Sequence, residues 1–199
     1  MTATEDARLI PFPMPAGTPD SDRDYPLGPA VAALDDAVDQ AWERLRGHPV
    51  ADKIFYTASQ LGDFSLLWHL LGVTRGLVSD EGIREATRLS TALAVESLLV
   101  NGAVKSLFRR ERPARAEEQP HHLRQPVTSS FPSGHASAAF LAATLLAERT
   151  RVKSLWYTLA GVVAASRVHT RAHHASDVVA GTTLGLVLGQ VVRKTLRIR

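Results

Sequence analysis

Five apolar segments with helical periodicity occupy most of the chain after residue 50, and turns rich in charge or histidine separate them. The segments cover about residues 54–74, 86–109, 134–149, 153–168 and 177–194. Their apolar residues recur as on one face of an α-helix, without the alternation of a β-strand. Before them, residues 30–46 form an amphipathic pattern with too many charges to span a bilayer, which suits the membrane interface or packing on a bundle. The sequence therefore predicts an all-α bundle of about five apolar helices plus an N-terminal amphipathic helix.

The length of the apolar runs does not decide whether this bundle lies in a membrane. The charge-free runs 136–147 and 178–192 are shorter than the roughly 20 apolar residues that a membrane span needs. Frequent Gly and Ala in the last three segments allow close helix packing in lipid and in a soluble bundle alike. A soluble helical bundle therefore stays open on this evidence.

Loop charge favours the membrane. Basic residues collect on one side of the predicted bundle: the turn 149–153, the tail 193–199, Arg75, Arg84 and Arg88. Such a bias marks the cytoplasmic side of a membrane protein. We therefore predict a multi-pass protein of the cell membrane, with the histidine-rich regions 109–133 and 169–177 facing outward.

Composition predicts the state of residues 1–29 and limits the chemistry that the chain can perform. Residues 1–29 are rich in Pro and Asp, which predicts a disordered tail, and they lack the basic and apolar regions of a secretory signal. The chain has no cysteine, which excludes a disulfide framework, a thiolate zinc site and a cysteine nucleophile.

The segment KSLFRRERP places two cations at the end of the second apolar segment. Lys105 and Arg112 are seven residues apart, which on an α-helix is two turns and the same face. Pro113 then ends the helix. Two cations directed at one point suit an anion, although a basic helix end in solvent has the same pattern.

The segment FPSGHASAAF has the form of a helix start. Pro132 and Ser133 precede an apolar run, and the backbone N–H groups of a first helical turn bind anions. Gly134 allows a ligand to approach the backbone closely. His135 lies in the first turn, where it can exchange a proton with a bound oxyanion. An ordinary helix cap beside an unrelated histidine is the alternative.

The segment SRVHTRAHHASD concentrates charge between two apolar helices. Arg167 ends one helix, and His173 and Asp177 are four residues apart, within reach of each other. A carboxylate that accepts one imidazole N–H fixes the tautomer and directs the other nitrogen at a target. His169 and His173 also have a spacing that metal ligands use, but the nearby arginines repel a divalent cation, so we predict no metal. The alternative is a purely structural role, in which the segment caps a helix and its histidines lie in solvent.

Together these three segments resemble the signature of the type 2 phosphatidic acid phosphatase superfamily: K-x6-R-P, P-S-G-H and S-R-x5-H-x3-D. Residues 105–113, 132–135 and 166–177 match every signature position in the same order. The resemblance implies a helical domain over residues 30–199 and a metal-independent phosphatase without a cofactor. It also implies a lipid phosphate as substrate and membrane lipids as surroundings. We expect no nucleic-acid partner, and the oligomeric state stays open.

The resemblance also implies a role for each matching residue. His173 would be the nucleophile that forms a phosphohistidine, and Asp177 would orient it. His135 would protonate the leaving group and later activate water. Five residues would hold the phosphoryl oxygens: Lys105, Arg112, Ser133, Gly134 and Arg167.

The third segment departs from the family pattern at two positions. Arg171 stands where a small residue is common, and Ala175 stands where proline is common. The added cation would favour a substrate with a diphosphate or a more acidic head group. The alternative is that the side chain of Arg171 lies in solvent. We interpret His169 and His174 as pocket or rim residues.

The favoured function is a membrane lipid phosphatase that acts on a phosphate monoester or pyrophosphate. Candidate substrates are a polyprenyl diphosphate or phosphate derivative, phosphatidic acid and phosphatidylglycerol phosphate. A soluble or peripheral acid phosphatase would use the same residues, as would a vanadate-dependent haloperoxidase, although such enzymes are usually much larger than this chain. A non-catalytic lipid-phosphate-binding membrane protein is a further alternative, but simple anion binding does not need an imidazole oriented by a carboxylate.

Overall fold

The computed structural model describes residues 27–114 and 128–197, which contain seven α-helices of more than ten residues and no β-strand. The helices are α1 (Pro29–Trp42), α2 (Pro49–Leu61), α3 (Leu66–Gly76), α4 (Asp80–Ser97), α5 (Gly134–Leu146), α6 (Lys153–His169) and α7 (Ala175–Thr195). The all-α prediction is therefore confirmed for this part of the chain. The predicted disordered tail falls almost wholly on residues 1–26, which lie outside the described residues.

The single helix predicted over 54–74 is wrong, because that segment forms two helices. Helices α2 and α3 are separated by a 3₁₀ turn, Asp63–Ser65. Phe64 and Ser65 have φ angles of 52° and 58°. An α-helix of L-residues does not continue through left-handed backbone, so the chain changes direction here.

The helix predicted over 86–109 also ends differently. Helix α4 continues as a π-helix, Leu98–Val104, and one last turn, Lys105–Leu107. Phe108 is extended and packs on Phe131, with ring centroids 4.7 Å apart. Arg112 therefore lies beyond the helix, and the expectation that it shares a helical face with Lys105 is wrong.

Helix α5 is the central helix of the bundle. Ten of its 13 residues are buried, and alanines supply half of them. A helix that is apolar on all sides needs neighbours on all sides, and α5 packs against α4, α6 and α7. Its partners in the core include Trp68, Leu89, Leu93 and Val163.

A glycine stripe brings α7 against α5. A Cβ atom on Gly181 or Gly185 would overlap the carbonyl oxygens of Ser133 and Ser137, and a Cβ on Gly189 would lie 2.7 Å from Thr144 Cβ. These spacings of four residues place all three glycines on one face of α7. The two helices can therefore approach closely only because this face carries no side chains.

Helix α1 packs on the bundle, which was one of its two predicted positions. Trp42 Nε1 donates a hydrogen bond to His169 Nδ1 at 3.1 Å. Arg46, just after α1, donates to the carbonyl oxygens of Val168 and His169. The charged N-terminal helix thus holds the end of α6.

Three of the basic residues predicted on one side, Arg75, Arg88 and Arg149, lie together at one end, but carboxylates accompany them. Arg75 pairs with Glu85 at 2.8 Å, and Arg88 pairs with Glu148. Arg88 also donates to Leu196 O, just beyond α7. This end is therefore an ion-pair network around the C-terminal ends of α5 and α7.

One helix within the described ranges, α7, is long and apolar enough to cross a membrane, judged by length and composition alone. Helix α5 is apolar but shorter. The helical form of the predicted bundle is thus confirmed, whereas its embedding in a membrane through about five helices stays a prediction.

Substituting Gly185→Ala tests the glycine stripe. The added methyl group meets Ser137 O of the facing helix, so we expect the free energy of unfolding to fall by about 1–3 kcal/mol. Gly161→Ala in α6 is the matched control, because open space surrounds Gly161. Alanine there should leave the stability unchanged or raise it by up to about 1 kcal/mol. Thermal unfolding of both purified variants measures the difference, and equal effects would contradict the packing account.

Candidate active site

The three sequence motifs meet at a cavity of about 460 Å³ at the N-terminal end of α5. Five of the eight predicted site residues line it: Lys105, Gly134, His135, Arg167 and His173. The other three lie next to these lining residues: Arg112 and Asp177 lie beside His173, and Ser133 precedes Gly134 and bonds to Asp177 through its backbone. Segments far apart in the chain thus converge as the signature predicts.

His173 is buried in the turn between α6 and α7, with its side chain 2% exposed. Its Nε2 lies 3.4 Å from Arg112 Nη1, and its Nδ1 lies 3.7 Å from Asp177 Oδ2. Burial lowers the pKa of His173 to about 3, and the guanidinium groups of Arg167 and Arg112 act in the same direction against Asp177. The imidazole is therefore neutral near pH 7, which leaves one ring nitrogen with a lone pair for nucleophilic attack.

Asp177 is held by contacts to both of its carboxylate oxygens. Oδ2 accepts a hydrogen bond from the backbone N–H of His174 at 2.9 Å, which caps α7, and it is also the oxygen nearest to His173. Oδ1 accepts from Arg110 Nη1 at 2.5 Å. A carboxylate fixed in this way can hold the imidazole in one orientation.

Arg110 and Asp35 are site residues that the sequence interpretation missed. Arg110 Nη2 donates to Asp35 Oδ2 at 2.6 Å, while its Nη1 binds Asp177. Asp35, in α1, also accepts from the backbone N–H and the hydroxyl of Ser176. The run RRERP gave no signal to separate Arg110 from its exposed neighbour Arg109.

Arg110→Met should lower the free energy of unfolding by about 3–5 kcal/mol, because it leaves two buried carboxylates without their cation. The side chains of Asp35 and Asp177 are 2% and 0% exposed. Arg109→Met is the control: this adjacent side chain is exposed, so its loss should change stability by less than about 0.5 kcal/mol. Denaturant unfolding of the two variants gives the comparison, and similar losses would exclude the buried network as a source of stability.

His135 lies in the first turn of α5 and lines the cavity, as predicted. Its Nε2 lies 2.9 Å from Asp63 Oδ1, in the turn between α2 and α3. The sequence interpretation missed Asp63, since a single acid in a short turn is indistinguishable from a solvated one. Both predicted catalytic histidines, His135 and His173, thus have a carboxylate beside them.

The predicted phosphate-binding residues occupy different positions around the cavity. Lys105 and Arg167 are buried and line it, and Arg167 donates to Ser59 Oγ of α2. Ser133 Oγ accepts from the backbone N–H of Ala136 at 3.5 Å, as a helix cap does. Its hydroxyl is fully buried in this position, and its predicted part in phosphate binding stays a prediction.

Arg171 and two further histidines have structural contacts. Arg171 pairs with Asp39 and Glu43 of the α1 region at 3.3 and 2.8 Å, so its charge is balanced outside the cavity.

His169 is buried between Trp42 and Asp52. His174 lines a neighbouring hollow beside α1, which His173 also borders, and it does not line the 460 Å³ cavity. The interpretation of His169 as a pocket or rim residue is therefore wrong, because helices α1 and α2 cover it.

The charges around the cavity suit an anion. Lys105 and Arg167 are cationic, and the N-terminus of α5 adds a partial positive charge. Glu96 also lines the cavity, and its Oε1 has no hydrogen-bond partner among the described residues. Within 27–114 and 128–197, no group of three or more His, Asp or Glu side chains is arranged to hold a metal ion.

Comparison with known families agrees with this geometry. Residues 85–198 match the PAP2 superfamily, which covers more than half of the chain and all three motifs. This match confirms the resemblance seen in the sequence. Asp35 and Asp63 lie before the matched residues.

Two curated relatives are phosphatases by name. Lipid A 1-phosphatase of Porphyromonas gingivalis is 38% identical over 70 residues, which are 33% of this chain and 16% of that protein's length. Decaprenylphosphoryl-5-phosphoribose phosphatase of Mycobacterium tuberculosis is 29% identical over 134 residues, which are 67% of this chain and 74% of the relative. The alignment with the first relative therefore spans only a small part of that longer protein.

Two solved structures have the same fold. LpxE of Aquifex aeolicus superposes with a TM-score of 0.66 at 26% identity and covers 81% of this chain and 95% of LpxE. A transmembrane PAP2-type phosphatidylglycerolphosphate phosphatase of Bacillus subtilis gives a TM-score of 0.62 at 26% identity, over 87% and 91% of the two chains. Both neighbours therefore share the fold of this chain over most of its length.

Proposed function

Because the chain belongs to the PAP2 superfamily, we propose that it hydrolyses a phosphate monoester or pyrophosphate on a lipid through a phosphohistidine at His173. The observation that carries this proposal is the cavity that joins His173 and His135 with two buried cations, Lys105 and Arg167. A nucleophile, a proton donor and charge neutralisation are the groups that phosphoryl transfer needs.

The reaction takes two steps. First, His173 Nε2 attacks phosphorus, the bond from phosphorus to the ester oxygen breaks, and His135 gives its proton to the departing alcohol or phosphate. Then water attacks the phosphohistidine and gives a proton to His135, which frees His173 and releases inorganic phosphate. Lys105, Arg112 and Arg167 balance the charge of the phosphoryl oxygens in both transition states. The balance of charge and protons needs no metal ion.

The substrate class rests on the cavity and on the relatives. We propose a polyprenyl phosphate or diphosphate derivative, phosphatidic acid or phosphatidylglycerol phosphate. The relatives add a polyprenylphosphoryl sugar phosphate as a fourth candidate. The pairing of Arg171 with Asp39 and Glu43 removes the added cation as a reason to prefer a diphosphate.

We also propose that the bundle is embedded in the cell membrane as a multi-pass protein with its cavity facing outward. Helix α7 has 21 residues and is about 30 Å long, as thick as the hydrocarbon core. Only 22% of its apolar stretch is buried within the protein, unlike a core helix of a soluble bundle. The cavity lies at its N-terminal end and Arg88 at its C-terminal end, which agrees with the positive-inside rule.

Phosphate release by the purified protein tests the proposed reaction. The four candidate lipids are presented in detergent micelles with a chelator and without added metal. We expect release by the wild type, and a loss of about a thousandfold or more in His173→Ala, which lacks the nucleophile.

His174→Ala is the matched control, because His174 lies next in sequence but does not line the 460 Å³ cavity. Its rate should stay within a few fold of the wild type. Abolition of the activity by the chelator would contradict the metal-free reaction, and folded wild type that releases phosphate from none of the lipids would favour a binding protein.

A further inference from the structure

The turn between α2 and α3 carries a carboxylate to the second histidine of the cavity. Asp63 Oδ1 lies 2.9 Å from His135 Nε2. We propose that Asp63 is a positioning residue that fixes the tautomer of His135 and stabilises its protonated form. This inference rests on the proposed function, and it extends the reaction to a segment that precedes the residues matched by the family.

The backbone of this turn is built around the contact. Phe64 and Ser65 both have left-handed φ angles, which cost free energy in residues other than glycine. Gly62 lies so close to the imidazole that a Cβ atom would be 2.8 Å from His135 Cδ2. Two strained residues and one glycine thus bring the carboxylate onto one edge of the ring.

The contact determines which nitrogen serves the substrate. Atoms Cδ2 and Nε2 form one edge of the imidazole, and both face the turn. A proton on Nε2 donates to Asp63, so Nδ1 is the nitrogen left to serve the ester oxygen. In the first step the Nδ1 proton passes to the leaving oxygen as its bond to phosphorus breaks. In the second step Nδ1 takes a proton from the attacking water while Nε2–H stays bonded to Asp63.

The surrounding charges make this carboxylate necessary. The titratable groups that line the cavity around His135 are Asp63, His69, Glu96, Lys105, Arg167 and His173. Burial is the largest effect that opposes a positive charge on His135, and the cations Arg167 and Lys105 act in the same direction, whereas Asp63 is the carboxylate in contact with the ring. Without Asp63, the imidazolium that donates the proton is less stable at any pH.

Kinetics with two leaving groups test the proposal. Asp63→Asn keeps the size of the side chain and removes its charge. On a lipid phosphate, whose alcohol must leave with a proton, we expect kcat to fall about 10–100-fold. With p-nitrophenyl phosphate the phenolate leaves without a proton, so the first step does not need His135 as an acid. The rate of the initial burst of nitrophenol reports this first step alone and should change by less than about threefold.

The pH profile gives a second readout. Activity requires protonated His135 in the first step, so it falls as the pH rises through the value at which His135 loses its proton. Removal of a neighbouring negative charge shifts that loss to lower pH. The descending limb of the plot of activity against pH should therefore move to lower pH in Asp63→Asn and return toward the wild-type position in Asp63→Glu.

A ¹⁵N spectrum of the histidine side chains should show His135 protonated at Nε2 in the wild type, which keeps the proposal testable if the variants do not fold.

The outcomes separate this inference from the proposed function. Equal losses on both substrates with an unmoved pH profile, or no loss at all, would overturn the role of Asp63 while leaving the phosphatase in place. A His135 protonated at Nδ1 alone in the wild type would also overturn it. Folded wild type without activity on any substrate would overturn both.

Discussion

Helices α5 and α7 approach so closely that the carbonyl oxygens of Ser133 and Ser137 occupy the space of side chains on Gly181 and Gly185. At the end of this contact, the backbone N–H of Ser133 donates to Asp177 O at 3.0 Å. The N-termini of both helices therefore meet, and they bring the second and third motifs to one place. Since both helix N-termini carry partial positive charge, the same contact prepares a site for an anion.

Charge around the cavity is divided between structure and ligand. Arg110 and Arg171 are balanced by carboxylates from the region of α1, while Lys105 and Arg167 face the cavity. The N-terminal helix thus does more than cover the bundle, because Asp35 joins the network that fixes Asp177. Asp63, in the turn between α2 and α3, lies beside His135. The segments before the residues matched by the family therefore supply one carboxylate beside His135 and one that joins the network around Asp177.

Sequence reasoning identified the helical class, the motifs that converge and five of the residues that line the cavity, because periodicity and ordered motifs are local features. It did not find the break at Phe64, since the left-handed backbone there occurs at Phe64 and Ser65, without a Gly or Pro to indicate it. Arg110 and Asp35 were missed because their meaning depends on a contact between residues 75 positions apart. The end of α4 was placed too late, because pairing with the segment before α5 draws the chain out of the helix after Leu107.

Central to the proposed reaction is the transfer of the phosphoryl group to His173, from which water then releases it as phosphate. Rapid alkaline quenching of the wild type during turnover, followed by mass spectrometry of its peptides, measures this directly, since phosphohistidine survives in base. The account predicts a phosphoryl group on His173 and on no other histidine, formed before phosphate is released and independent of added metal. Continued phosphate release with no phosphorylated His173 at any time in the reaction, or with the phosphoryl group on another residue, would contradict it.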